Sequence, residues 1–160
     1  MSSCVFPGSF DPVTRGHMDL IRRACAVFDR VTVTVMVNIH KQGSLSPEKR
    51  VELLRKACAG IENVRVDRWD GLLADYLRQT GERCVVRGAR GITEFDAEIA
   101  SAAASRMLNP DMETLLLPAS GEYACVSSSA VREVAAFGGD IRPFVPEKIA
   151  EEIAFLLANR

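Results

Sequence analysis

Two histidines in 160 residues, no Cys-x-x-Cys pair and no excess of positive charge exclude several kinds of protein at once. Five cysteines stand at 4, 25, 58, 84 and 125, each inside an apolar stretch. An odd number at such spacing reads as reduced, buried thiols rather than a disulfide framework. Only His17 and His40 could complete a zinc site with them, so a structural metal is not expected. The 20 Lys and Arg residues are balanced by 21 Asp and Glu, for a net charge of -1. A sequence-independent grip on nucleic acid needs a clear basic surplus, so no nucleic-acid partner is expected. No apolar run approaches the ~20 residues of a membrane span. The opening run Cys4-Val5-Phe6 breaks at Pro7 and has no basic leader, so neither a signal peptide nor a membrane partner is expected, and the cytoplasm is the expected location. The glycine patterns of dinucleotide-binding folds and P-loops are missing. So are a Ser-His-Asp arrangement, a pair of catalytic carboxylates and a carboxylate cage for metal.

What is present is an ordinary globular composition, 48% hydrophobic and 26% charged, at the size of one domain. Short β-branched or apolar runs alternate with helical periodicity. Strands are expected at Cys4-Val5-Phe6, Val31 to Val37, Val64-Arg65-Val66, Cys84-Val85-Val86 and Glu113 to Leu117. The first helix carries His17, Leu20, Ile21, Ala24, Val27 and Phe28 on one face. Ser46-Pro47 is a helix start, with Ser as N-cap and Pro at the first position. Further helices are expected over Leu72 to Arg78, Ile92 to Leu108, Ser127 to Phe137 and Pro146 to Ala158. This alternation predicts an α/β, Rossmann-like, doubly wound sheet of five parallel strands, with helices on both faces and a single domain over residues 1–160. In such sheets ligands bind beyond the carboxyl ends of the strands, where strand order reverses.

The segments after the strands therefore carry the functional question. After the first strand, Gly8 opens the backbone and Gly16-His17 sets an imidazole in the first turn of a helix, where amides and dipole favour an anion. By spacing alone, His17 also fits the apolar stripe at Leu20, Ile21 and Ala24, which is the reading of a core histidine. Lys41 follows the second strand and is suited to phosphate, although a loop lysine is more often merely solvated. Leu72 and Leu73 could line an apolar wall or belong to the core. Arg87-Gly88-Ala89-Arg90-Gly91 places two guanidinium forks at the end of the fourth strand. Ser127-Ser128-Ser129 opens a helix with three hydroxyls where capping needs one. Together these residues have the makeup of a triphosphate site without a Walker motif.

Pro7-Gly8-Ser9-Phe10-Asp11-Pro12 with Gly16-His17 resembles the first signature of the nucleotidyltransferase superfamily. Val126-Ser127-Ser128-Ser129-Ala130-Val131-Arg132 resembles the second. Within the superfamily the chain is similar to the bacterial phosphopantetheine adenylyltransferases over nearly its whole length. The resemblance implies adenylyl transfer from ATP to 4′-phosphopantetheine, giving dephospho-coenzyme A and pyrophosphate, the penultimate step of coenzyme A synthesis. It implies that His17 stabilises charge on the α-phosphate, with Lys41 and Arg90 also catalytic. It assigns ATP to Ser9, Phe10, His17, Gly88, Ala89, Arg90, Glu98 and Tyr123-Ala124-Cys125-Val126-Ser127-Ser128-Ser129. It assigns phosphopantetheine to Ser9, Lys41, Leu73 and Arg87. Mg²⁺ would arrive with ATP. A homohexamer and coenzyme A as a feedback ligand are also implied. Ala97 and Ser105 depart from some relatives, which carry tyrosine and asparagine there.

The acceptor in such a reaction is already a phosphate dianion near neutral pH, since its second proton leaves near ~6. Positioning and electrostatic stabilisation then suffice, without a general base. The rival readings are a nucleotidyltransferase for another acceptor, a nucleotide-sensing module of the same fold, and a purely structural role for His17 and the serines.

Overall fold

The computed structural model describes residues 1–38, 40 and 42–159. Five parallel strands form one sheet in the order β3-β2-β1-β4-β5. They are β1 Ser3–Gly8, β2 Arg30–Met36, β3 Val64–Trp69, β4 Cys84–Ala89 and β5 Glu113–Pro118. β1 pairs with β2 in register Ser3 to Arg30 through Gly8 to Val35, and with β4 at Val5 to Val85. Strand order reverses between β1 and β4, so the crevice predicted for such folds opens beyond Gly8 and Ala89.

Alternation along β1 divides the core. Cys4 and Phe6 join Val31, Val33, Val35 and Val86 on one face, while Val5 joins Val85 on the other. The first face is covered by α1 (Arg15–Cys25), α2 (Pro47–Cys58), α5 (Ser128–Ala136) and α6 (Glu147–Ala158). The second is covered by α3 (Leu73–Thr80) and α4 (Ile92–Leu108), with Tyr76 and Leu77 packed on Val5, Val85 and Met112. The five expected strands and six helices are present, with helices on both faces.

Local chemistry explains most boundaries. Ser46 caps α2 by accepting from the Lys49 N–H at 3.3 Å, and Pro47 is the first helical residue. Three expectations need adjustment. The first helix ends at Cys25, before Val27, which is 70% exposed. Leu72 precedes α3 and is also exposed. β3 runs on to Trp69, because its ladder with β2 continues through Arg68 and Trp69. α4 matches its expected span, but none of its residues is buried: Ile92, Phe95, Ile99, Met107 and Leu108 are all exposed. No helix among the described residues is long and apolar enough to cross a membrane.

Candidate active site

A cleft of about 380 Å³ lies beyond the ends of β1 and β4. That is within the range of small-molecule sites, roughly 300–1,000 Å³. Its lining brings together Ser9, Phe10, His17, Arg87, Gly88, Arg90, Glu98, Tyr123, Val126 and Ser127 to Ser129. These come from three segments far apart in sequence, residues 9–17, 87–98 and 123–129.

His17 sits in the first turn of α1 and is fixed by Thr14. The Thr14 main-chain N–H donates to His17 Nδ1 at 3.1 Å, and the Thr14 hydroxyl lies 3.1 Å from the same atom. In return the His17 N–H donates to Thr14 Oγ1 at 3.3 Å. This is a capping box in which histidine takes the place usually filled by Glu or Gln. A ring nitrogen that accepts a main-chain N–H carries no hydrogen, so the neutral ring keeps its hydrogen on Nε2. Burial pushes the His17 pKa down to about 4, and the Arg90 and Arg87 charges push the same way. At neutral pH the residue is therefore an uncharged Nε2–H donor. The two readings of His17 are both met: Met18, Leu20, Ile21 and Ala24 of the same helix are buried, and that packing holds the imidazole at the cleft.

The β1–α1 loop is held under strain. Phe10 has φ 47°, which is costly for a residue with a side chain, roughly 1–3 kcal/mol. Its ring is buried against His17, with centroids 5.0 Å apart, so it supports the imidazole from the floor of the cleft. Gly8 makes room for it: a Cβ there would meet Phe10 Cε2 at 3.0 Å. The buried Asp11 carboxylate accepts from the Ser44 N–H at 2.7 Å and the Leu45 N–H at 2.8 Å, and Arg50 Nε lies 3.7 Å away. The second signature clasps the same loop. Arg132 Nη1 donates to Asp11 O at 2.6 Å, and Ser128 Oγ donates to Pro12 O at 2.7 Å.

The three serines thus divide their work. Ser127 caps α5 by accepting from the Ala130 N–H at 3.0 Å, Ser128 anchors the loop, and Ser129 Oγ accepts from Arg132 at 3.2 Å. Capping uses only the first, as the sequence suggests.

Both arginines are oriented by α4. Arg87 donates twice to Glu98, Nε to Oε2 at 2.8 Å and Nη2 to Oε1 at 2.6 Å, and its Nη1 donates to Pro7 O at 2.7 Å. Arg90 pairs with Glu94 through Nε at 3.1 Å and also through Nη2, while its Nη1 donates to Val126 O at 3.1 Å. The Ser9 hydroxyl has no partner among the described residues, which leaves it available to a ligand. Gly88 lets α1 approach β4, because a Cβ there would lie 2.2 Å from Leu20 Cδ1.

Some expected residues lie elsewhere. Leu73 packs beside the Val5, Tyr76 and Met112 cluster and does not line the cleft. Ala89 is buried at the end of β4, and Ala124 and Cys125 are exposed outside the lining. Lys41 lies outside the described residues. Thr14, Glu94, Ala97 and Ala119 line or organise the cleft and were not singled out as site residues from sequence. Of these only Thr14 had a local signal, a cap-forming residue three positions before His17.

The cytidylyltransferase-like family model matches residues 5–134, which include the β1–α1 loop, both arginines and the serine cluster. The phosphopantetheine adenylyltransferase of Finegoldia magna is 44% identical over 149 residues, 93% of this chain and 92% of its own. That of Rubrobacter xylanophilus is 45% identical over 153 residues, 96% of this chain and 93% of its own.

The chain belongs to the phosphopantetheine adenylyltransferase family.

Solved structures agree on the fold of this family. A putative nicotinate-nucleotide adenylyltransferase from Vibrio parahaemolyticus superposes with a TM-score of 0.70 at 18% identity, covering 100% of this chain and 98% of that one. The Plasmodium falciparum nicotinic acid mononucleotide adenylyltransferase complexed with APC gives 0.69 at 14%, covering 96% and 94%.

Proposed function

We propose that this chain transfers the adenylyl group of ATP to 4′-phosphopantetheine, releasing pyrophosphate and forming dephospho-coenzyme A. The observation that carries this reading is the neutral, Thr14-fixed His17, which offers Nε2–H beside Arg87, Arg90 and the start of α5. Family membership supplies the substrates. The acceptor phosphate oxygen attacks the α-phosphorus in line. The new P–O bond forms as the bond to the bridging oxygen of pyrophosphate breaks, and the electron pair leaves on that oxygen. Charge grows on the α-phosphoryl oxygens, and a preset donor there stabilises the transition state more than the ground state. His17 carries its hydrogen on the cleft-facing Nε2 while Nδ1 accepts from Thr14, so it acts as a donor and not as a proton-abstracting base, and no base is needed.

Lys41 and Arg87 hold the acceptor phosphate, with Glu98 and Pro7 aiming Arg87. Arg90, Gly88, Ser9 and Ser127 to Ser129 hold the triphosphate. The cleft does not fit a resident metal: Glu94 and Glu98 are committed to arginines, and the described residues contain no cluster of metal ligands. Mg²⁺ comes with ATP as part of the substrate and keeps its waters. The chain works as one nucleotidyltransferase domain in the cytoplasm, with coenzyme A as a feedback ligand. It assembles as a homohexamer, a reading supported by the apolar residues exposed on α4 and by Leu115, 46% exposed on the edge strand β5.

The test is pyrophosphate release with ATP and 4′-phosphopantetheine, set against nicotinate mononucleotide and polyol phosphates as acceptors. Release with the first acceptor alone is expected. Release only with another acceptor, or with none, refutes the assignment. Light scattering at micromolar protein tests the assembly.

A further inference from the structure

A second basic cavity lies on the far side of Tyr123. It measures about 420 Å³, and Tyr123 lines both it and the nucleotide cleft, so the two share a wall. Arg15 and Arg22 stand two helical turns apart on α1, on one face. Lys148 reaches in from the start of α6, and the buried Met18 forms part of the lining. Glu147 is the one carboxylate in this lining, against three cations.

The cations are not spent on the protein. Arg15 is pinned at two points: its main-chain N–H donates to Phe144 O at 2.8 Å, and its Nε donates to Val145 O at 2.9 Å. Its two terminal nitrogens then have no acceptor among the described residues. The Arg22 side chain has neither hydrogen bond nor ion pair among them. Lys148 makes one bond, to Ala59 O at 3.2 Å, which leaves two ammonium donors. Across the cavity, Pro146 gives α6 no side-chain cap, and the Glu147 and Lys148 N–H groups have no acceptor among the described residues. A guanidinium preset through Nε by the Val145 carbonyl, with both terminal nitrogens empty, matches a tetrahedral oxyanion. Neither the core nor the transfer reaction uses these groups.

We infer that this cavity is a second anion site that takes a phosphoryl group. The group is either free, as phosphate or diphosphate, or carried by a nucleotide that extends past Tyr123. The inference goes beyond the adenylyl transfer and does not rest on it. Equilibrium dialysis of the intact protein with radiolabelled pyrophosphate, at constant ionic strength, counts the sites. Two sites per chain are expected, the second with a Kd of about 1 mM or tighter. Arg22→Gln with Lys148→Gln removes the second site and leaves pyrophosphate-release turnover unchanged. Arg15→Lys is the independent check, since it keeps the charge and loses the fork. A second site that survives saturating ATP assigns the cavity to a free anion. An at least tenfold loss of ATP affinity in the double variant assigns it to a nucleotide-borne phosphate. A pyrophosphate count that the double variant does not lower, together with unchanged ATP affinity in the variants, overturns the inference.

Discussion

Replacing His17 with alanine separates its two tasks. The first is the Nε2–H donor in the cleft. Losing one preset donor to a developing oxyanion costs about 2.7–4 kcal/mol, or roughly 10²–10³ in kcat. The second is the acceptor Nδ1, which satisfies the Thr14 N–H at 3.1 Å. Losing that bond costs about 1 kcal/mol of stability, worth roughly 2–4 °C in Tm for a chain of this size. The Thr14 hydroxyl still caps the His17 position through the main chain, so α1 keeps its start. The proposed ATP contacts of Arg90 and the α5 segment are untouched by the substitution. The expected result is therefore a variant that folds, still gains thermal stability on adding ATP, and releases pyrophosphate 10²–10³ times more slowly at saturating substrates. Stopped assays of pyrophosphate beside a thermal-shift titration read both quantities on one preparation. Turnover within a few-fold of the parent enzyme would refute the donor role. A kcat that falls only in step with lost ATP binding would show His17 to be a binding residue and nothing more.

Acid should weaken the fold through the same residue. The unfolded chain takes a proton on this histidine near its ordinary 6.5, whereas the folded chain does so only near 4. The stabilisation is thus complete above 6.5 and is lost as pH falls towards 4, an effect of order 3 kcal/mol. Urea unfolding of the parent and His17→Ala at pH 7 and 4.5 should show this component in the parent alone. Glu98→Gln breaks the twofold pairing with Arg87 and should raise KM for the phosphorylated acceptor about tenfold with a smaller change in kcat, since charge-assisted bonds of this kind are worth about 1.5–3 kcal/mol before solvent screening; an unchanged KM would show that Arg87 needs no support. Arg132→Ala frees Asp11 O and should lower both Tm and kcat, with Arg132→Lys recovering part of each. Gly43→Ala drives a Cβ to 1.8 Å from the buried Arg50 Nη2 and should cost about 1–3 kcal/mol in chemical denaturation.

Periodicity and turn chemistry were enough to expect five parallel strands, the helices between them and the edge at which the cleft opens. These are local properties, expressed in β-branched runs, in Ser46-Pro47 and in the apolar faces of α1 and α2. The two signatures around His17 and Ser127 to Ser129 were also legible, because each is contiguous. What the chain could not show one-dimensionally was pairing between distant segments. Nothing near Arg87 announces Glu98 and Pro7 as its partners, and nothing near Ser128 and Arg132 says that they hold the carbonyls of Pro12 and Asp11. Leu73 shows the same limit from the other side: a leucine after a strand can face a cleft or a core, and only packing put it beside Tyr76. The protonation of His17 was likewise a tertiary matter. An imidazole at a helix start can be charged or neutral, and burial beside two guanidinium groups, with Thr14 holding Nδ1, decided for the neutral donor. The sequence by itself determined which residues could meet a phosphate; the fold decided which of them come together at one cleft, and in what charge state, because desolvation and hydrogen-bond partners exist only once the strands are side by side.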